Sequence, residues 1–199
     1  MKLSYLILLT IASVAFFYIQ LWDDKIVTPL YFSLLALNLF FAAYTKNINM
    51  AHITGFILII VGANRLVFET GLINDVTPSN NLLLQGLLIY GTSFLFSLAL
   101  ALILIFRVQL SRILSSSKNI ELTHFDGIFH WIFIYMALVN LIAMAEYIGW
   151  SYFEMKSWRF IYNNFEAFIY IGWALSCGAL LTMMICSSKD NRRDEVGAL

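Results

Sequence analysis

The sequence predicts an all-α integral membrane protein with six transmembrane helices, which we interpret as three repeated helical hairpins. Of its 199 residues, 61% are hydrophobic and 12% are charged, whereas soluble domains average about 45–50% apolar and about 25% charged residues. The apolar residues also fall into stretches close to the roughly 20 residues that a helix needs to cross a bilayer. No stretch alternates with the period of two that barrel strands require, so we predict that the spans are helices.

The predicted spans fill most of a transmembrane domain of residues 1–188, which a short charged tail, 189–199, follows. In chain order they are residues 3–22, 26–44, 51–73, 82–106, 128–150 and 165–187. The first span resembles a cleaved signal peptide, because it follows Lys2 and contains the small residues Ser13 and Ala15. Its apolar run continues beyond those residues, which favours a membrane span.

Basic residues are unevenly distributed between the two sides of the membrane. With six spans, both termini and the loops after spans two and four share one side. That side carries Lys2, Lys46, Arg107, Arg112, Lys118, Lys189, Arg192 and Arg193, and the other carries Lys25, Lys156 and Arg159. The positive-inside rule therefore predicts an inner (plasma) membrane protein with both termini in the cytoplasm. Twelve basic residues balance twelve acidic ones, so direct binding to nucleic acid is not expected.

The connecting segments are too short for a second domain, and the longest cytoplasmic one covers residues 107–127. The sequence contains no Gly-rich phosphate loop, no nucleophile elbow, no His-Glu-x-x-His and no Cys-x-x-Cys. Cys177 and Cys186 lie nine residues apart on one predicted helix and cannot form a disulfide. We therefore expect no catalytic residue and no cofactor.

An internal repeat relates the odd-numbered spans. Two blocks with identical spacing open spans three and five: Lys46-Asn47-Ile48 with His52 and Gly55, and Lys118-Asn119-Ile120 with His124 and Gly127. Asn64 and Asn140 are further counterparts within these two spans. The matches predict parallel copies of a hairpin, which disfavours an inverted-repeat transporter.

Ionisable residues near the predicted outer end of the bundle suggest a ligand or cation vestibule. Arg65 and Glu69 are four residues apart and can pair on one helix face. Glu146 and Glu166 lie near the outer ends of spans five and six, and Asn140 lies deeper in span five. The alternative is structural: the carboxylates neutralise Arg65, or Arg65 extends outward to the interface.

Two histidines are weak candidates for a metal or haem site. The repeat places His52 and His124 at equal depth at the cytoplasmic ends of their spans. Apart from Asp126, no carboxylate near them completes a ligand set, so capping or hydrogen-bonding roles are favoured and no metal is predicted.

Small residues form stripes on spans four and six, represented by Ser93 and Ser97 and by Ala174 and Gly178. Such stripes allow helices to approach closely. They suit packing inside one protomer or the seam of a homo-oligomer, and the sequence leaves both open.

The segment after span four predicts a cytoplasmic docking surface. Residues 107–114 form an amphipathic extension of span four, which three serines, 115–117, then end. Thr123 and Asp126 fit a capping box at the start of span five. The basic residues assigned to docking are Arg107, Arg112, Lys118, Arg192 and Arg193. Anchoring to anionic lipid is the alternative role.

These observations favour a non-enzymatic membrane subunit that senses or anchors for a multi-component signalling or defence assembly with a cytosolic or membrane protein partner. A second hypothesis is an oligomeric channel or small-solute transporter with an acidic vestibule. A third is a membrane redox protein that holds haem or a metal through His52 and His124.

Overall fold

The computed structural model describes residues 24–74, 77, 81–115, 117, 120–154 and 157–197, with side chains from 25 to 188. Within this part the chain is entirely helical, without strands. The helices are α1 (Asp24–Tyr44), α2 (Ile48–Glu69), α3 (Leu82–Ile105), α4 (Arg107–Leu114), α5 (Asp126–Phe153), α6 (Phe160–Asn163) and α7 (Phe165–Gly197).

Five of these helices are long and apolar enough to cross a membrane: α1, α2, α3, α5 and α7. They correspond to predicted spans two to six, and their length and composition fit a multi-pass membrane protein. Predicted span one, residues 3–22, lies outside the described residues. The helix of span six continues to Gly197, so its backbone extends through most of the predicted tail.

Consecutive long helices run in opposite directions, so the bundle has two ends, which we name after the short helices found there. The α4 end contains the loop between α1 and α2, helix α4 and the start of α5. The α6 end contains the loop between α2 and α3 and helix α6. Helix α5 packs most extensively against α3 and also contacts α7, and α1 packs between α2 and α7.

Side-chain caps begin two of the long helices. The Asn47 side chain accepts the Met50 N–H at the start of α2, and the Asn81 side chain accepts the Leu84 N–H at the start of α3, both at 3.1 Å. These contacts satisfy amides that the first turn of a helix leaves unpaired. They fix the first turn of α2 and of α3.

The hairpin repeat is not confirmed by the helix boundaries. His52 is the fifth residue of α2, whereas His124 precedes α5, which begins at Asp126. The two blocks with matched spacing therefore occupy different positions relative to their helices.

Buried polar contacts join α1, α2 and α7. The Asn38 amide on α1 donates to the Leu180 carbonyl at 3.2 Å, and its oxygen accepts the Thr54 hydroxyl at 2.6 Å. On the same helices, Tyr31 stacks on Trp173 with ring centroids 4.7 Å apart. Hydrogen bonds between helices replace contacts with water that the bilayer cannot supply.

The two small-residue stripes lie in different surroundings. Ala174 and Gly178 are buried in α7, and Ser93 and Ser97 are half-buried and face a cavity between helices. Packing within one chain therefore accounts for the stripe on α7, and a homo-oligomeric seam stays a prediction.

Gly86 permits the closest approach between α3 and α5. A Cβ atom at this position would lie 2.0 Å from a ring carbon of Tyr147, whose hydroxyl donates to the Leu82 carbonyl at 2.7 Å. The Tyr147 ring packs directly on the backbone of residue 86. The helices α3 and α5 can therefore pack this closely only if residue 86 is glycine.

We expect Gly86→Ala to destabilise the bundle by about 1–3 kcal/mol, because Tyr147 must move away from the added methyl group. Gly91→Ala is the matched control on the same helix, since its Cβ would meet only the Met144 sulfur at 3.9 Å. Thermal unfolding in detergent measures both changes. Equal melting temperatures for the two variants would contradict this packing.

Candidate functional site

The α4 end is organised around the side chain of Arg107. Helix α3 ends at Ile105, Phe106 leaves helical geometry with φ −92° and ψ 15°, and α4 restarts at Arg107. This break turns the Arg107 side chain into the bundle, where only 1% of it is exposed. A buried guanidinium requires a negative partner and acceptors for its remaining N–H groups.

The structure supplies these partners from three other segments, and we call the set the Arg107 cluster. Arg107 Nη2 donates to Asp126 Oδ2 at 2.6 Å, and Nε lies 2.5 Å from Oδ1, so both carboxylate oxygens contact the guanidinium. Nη1 donates to the Asn49 side chain at 2.9 Å, and Nη2 also donates to the Glu121 carbonyl at 2.6 Å. The cluster therefore ties α4 to the start of α2, the following loop and the start of α5.

Asp126 also holds the loop that leads into its own helix. Its Oδ2 accepts the Thr123 N–H at 2.6 Å and the Thr123 hydroxyl at 2.9 Å. The Asn49 oxygen that binds Arg107 also accepts the Glu121 N–H at 3.2 Å. The predicted capping box is not formed, because the helix begins at Asp126 with Phe125 as its N-cap. Thr123 and Asp126 nevertheless pair, and Asp126 also holds Arg107.

Arg107 is therefore not an exposed docking residue, and the prediction that assigned it to the surface is wrong. The helix break at Phe106 and the carboxylate of Asp126 account for its burial. Arg112 remains exposed on α4. Lys118 and the side chains of Arg192 and Arg193 lie outside the described part of the chain, so their docking roles stay predictions.

A cavity of about 100 Å³ lies between α2, α3, α5 and α7. Its polar lining consists of Asn64, Ser93, Ser97 and Asn140. The rest of the lining is apolar: Ile60, Val61, Phe96, Leu100, Phe133, Met136, Phe165, Ile169 and Trp173. None of these described lining residues is charged. Few polar groups on an apolar wall are typical of small-molecule sites.

The vestibule predicted from Arg65, Glu69, Asn140, Glu146 and Glu166 is divided among separate environments. Asn140 lines the cavity, but the other four residues do not. Arg65 and Glu69 pair at 2.7 Å on an exposed face of α2, as their spacing predicted. Glu166 is exposed at the start of α7.

Glu146 binds the backbone of α6. Its two carboxylate oxygens accept the N–H groups of Ile161 at 3.3 Å and Tyr162 at 2.7 Å. The Arg159 guanidinium lies over the rings of Trp150 and Tyr162, 4.9 and 5.0 Å from their centroids. Together these contacts hold the loop between α5 and α7 against the end of α5.

The histidines occupy different settings. His52 is half-buried in α2, and His124 is exposed in the loop before α5. In the described part of the chain, no group of three or more His, Cys, Asp or Glu side chains is placed to hold a metal ion. The metal or haem reading gains no support from this arrangement.

Sequence reasoning missed Asn49 as a partner of Arg107 and did not identify the aromatic wall of the cavity. One signal was available for the ion pair: Arg107 and Asp126 flank the same end of two antiparallel neighbours. For the cavity, the signal was two polar residues inside apolar spans, Asn64 and Asn140, both of which line it.

Arg107→Met should destabilise the protein by about 3–5 kcal/mol, because Asp126 would remain buried without its partner. The double variant Arg107→Met, Asp126→Asn should recover part of this loss, since it removes both charges and keeps an acceptor for Thr123. Arg65→Met is the control, because its exposed pair with Glu69 contributes about 0–1 kcal/mol. Chemical denaturation in detergent measures all three, and similar losses for Arg107→Met and Arg65→Met would refute the buried pair.

Glu146→Gln should speed hydrogen exchange at the amides of Ile161 and Tyr162 by about tenfold, because an amide replaces one of two carboxylate acceptors. Glu166→Gln serves as the control, since Glu166 is exposed and does not bind α6. Hydrogen exchange followed by mass spectrometry of this loop gives the answer. Unchanged protection in Glu146→Gln would show that Glu146 does not retain α6.

No known protein family, curated protein or solved structure matches this chain. Functional assignment therefore rests on the chain's own residues, chiefly the Arg107 cluster at one end of the bundle and the cavity within it.

Proposed function

We propose that the protein is a non-enzymatic multi-pass membrane subunit that senses or anchors for an assembly with a cytosolic partner, and that this partner docks on α4. The observation that carries this proposal is that the Arg107 cluster fixes α4 to the bundle while the opposite face of α4 points outward. A second chain then provides whatever activity the assembly has.

The distribution of charge supports a cytoplasmic location for the α4 end. In the sequence, Lys46, Arg107, Arg112, Lys118, Lys189, Arg192 and Arg193 belong to this side, and Lys25, Lys156 and Arg159 belong to the other. Under the positive-inside rule the basic end faces the cytoplasm, which is the inner side of a plasma membrane. A cytosolic protein would then meet α4 directly.

The outward face of α4 combines apolar and basic groups. Ile113 is 82% exposed and Leu114 is 67% exposed, and Leu122 in the next loop is 79% exposed. Arg112 is exposed beside them and donates to the Ile120 carbonyl at 3.4 Å. Arginine is enriched in protein interfaces, and the exposed apolar side chains beside it provide surface that a partner can bury.

The Arg107 cluster makes this face a favourable docking surface. A helix of eight residues is too short to be stable in water by itself. Here the buried face of α4, with Arg107 and Ser111, is held by contacts to α2 and α5. A partner would therefore bind a helix that is already ordered, and association would cost less conformational entropy.

The channel alternative receives less support than the anchoring proposal. It required an oligomeric path along exposed small-residue stripes, but Ala174 and Gly178 are buried within the protomer. The acidic residues expected to line its mouth are also divided between the Arg65–Glu69 pair and the contact of Glu146 with α6.

Site-specific photocross-linking in native membranes tests the proposed docking surface. A photoreactive amino acid at Leu114 should yield a defined protein adduct, whereas the same probe at Leu95, 62% exposed in the middle of α3, should label lipid. Arg112→Glu should abolish the Leu114 adduct by charge repulsion. Lys46→Glu, a charge reversal at the same end but outside α4, should leave it unchanged.

Only lipid adducts from Leu114 would reject a protein partner and indicate that α4 lies on the membrane surface. Loss of the adduct in both Arg112→Glu and Lys46→Glu would show that binding depends on the overall charge of this end. It would contradict a specific role for α4.

A further inference from the structure

The cavity between α2, α3, α5 and α7 contains two buried carbonyl oxygens that find no donor in the described part of the chain. One is Oδ1 of Asn140, a residue that is only 1% exposed. The other is Oδ1 of Asn64. Both residues line the cavity, and they come from different helices, α2 and α5.

The orientation of the Asn140 amide is fixed by its own helix. Its Nδ2 donates to the Met136 carbonyl at 2.8 Å. A carbonyl oxygen can only accept, so the nitrogen must face Met136 and the oxygen must face the other way. The acceptor of Asn140 is therefore available to a donor inside the cavity.

Comparison with Asn38 shows that the fold can satisfy a buried asparagine in a membrane-spanning helix. Asn38 is also 1% exposed, but its oxygen accepts the Thr54 hydroxyl and its nitrogen donates to Leu180. At Asn140 only the nitrogen is satisfied. Burial of an acceptor without a donor is unfavourable. A molecule that enters the cavity and donates a hydrogen bond to this acceptor therefore lowers the free energy.

The lining limits the chemistry of such a donor. It contains no charged residue among those described, so an ion would lose its hydration without compensation. Ser93 and Ser97 offer hydroxyls that can donate or accept. The aromatic rings of Phe96, Phe133 and Trp173 provide apolar surface for a hydrocarbon part.

The volume limits its size. About 100 Å³ is somewhat smaller than a cavity of about 150 Å³ that accommodates benzene in another protein. The cavity therefore fits a molecule of about four to six non-hydrogen atoms. Trp173 is held in place from behind by its stacking on Tyr31, so this wall is preformed.

We propose that this cavity is a binding site for a small uncharged molecule that donates hydrogen bonds, through hydroxyl or amide N–H groups, to the side-chain oxygens of Asn64 and Asn140. Its apolar part lies against the aromatic residues of α3, α5 and α7. This inference goes beyond the proposed docking on α4 and does not depend on it.

Two small probes of equal size test the requirement for donors. Propane-1,2-diol has two hydroxyl donors. Methyl acetate has the same number of non-hydrogen atoms but no hydrogen-bond donor. Ligand-observed NMR titrations of the purified full chain in detergent should show saturable binding of the diol. Methyl acetate should bind at least about tenfold more weakly, because it leaves both amide oxygens without donors.

Matched variants locate the binding in this cavity. Asn140→Leu and Asn64→Leu should each weaken diol binding by about three- to tenfold, as expected for the loss of one hydrogen bond. Asn140→Leu should not lower the melting temperature, since it removes a buried acceptor that lacks a donor. Thr182→Val is the control: Thr182 is buried on α7 and binds its own helix at Gly178, and it does not line the cavity.

Three results would overturn the proposal. The first is an absence of saturable diol binding to the wild-type protein, as expected if the cavity holds water alone. The second is equal affinity for the diol and methyl acetate. The third is diol binding that persists unchanged in both asparagine variants, which would place the site elsewhere in the protein or in the detergent.

Discussion

The buried ion pair between Arg107 and Asp126 is the contact on which the α4 end of the bundle depends. Both charges are removed from water, so their attraction offsets desolvation only if the remaining donors and acceptors are also satisfied. Asn49 and the Glu121 carbonyl accept hydrogen bonds from Arg107, and Thr123 donates to Asp126. Because these partners belong to separate segments, the pair forms only when α2, α4, α5 and the preceding loop are correctly placed together. It therefore selects one arrangement of helices that are otherwise similar in hydrophobicity.

The sequence was sufficient to predict the helices, because membrane spans follow from local composition. Predicted spans 26–44 and 82–106 differ by at most two residues at either end from α1 and α3. The amphipathic extension and its end at Ser115 were also predictable, since three serines follow an apolar and basic segment. The burial of Arg107 was not, because an arginine after a transmembrane span is usually exposed to the cytoplasm. Its partner lies 19 residues further along, and only the packing of α5 against α3 brings the two together.

The candidate sites show the same contrast. Contacts within one helix could be predicted from residue spacing, whereas contacts between segments could not. The pairing of Arg65 with Glu69 follows from a spacing of four residues on one helix and is confirmed. The contacts of Glu146 with α6 are between segments, so the sequence suggested a ligand-facing carboxylate where the structure has a structural one. Asn140 was identified as a polar residue deep in its span, but its unsatisfied oxygen depends on what α2, α3 and α7 place opposite it.

The cavity and the Arg107 cluster share two helices, α2 and α5, so the two sites are structurally linked. Helix α2 provides Asn64 to the cavity and Asn49 to the cluster, and α5 provides Asn140 and Asp126. In each helix the two positions are separated by about 14 or 15 residues, or roughly 22 Å along the axis. The cluster fixes the spacing of these helices at the α4 end. Because α2 and α5 each contribute to both sites, a substitution that separates these helices at the cluster also changes the walls of the cavity.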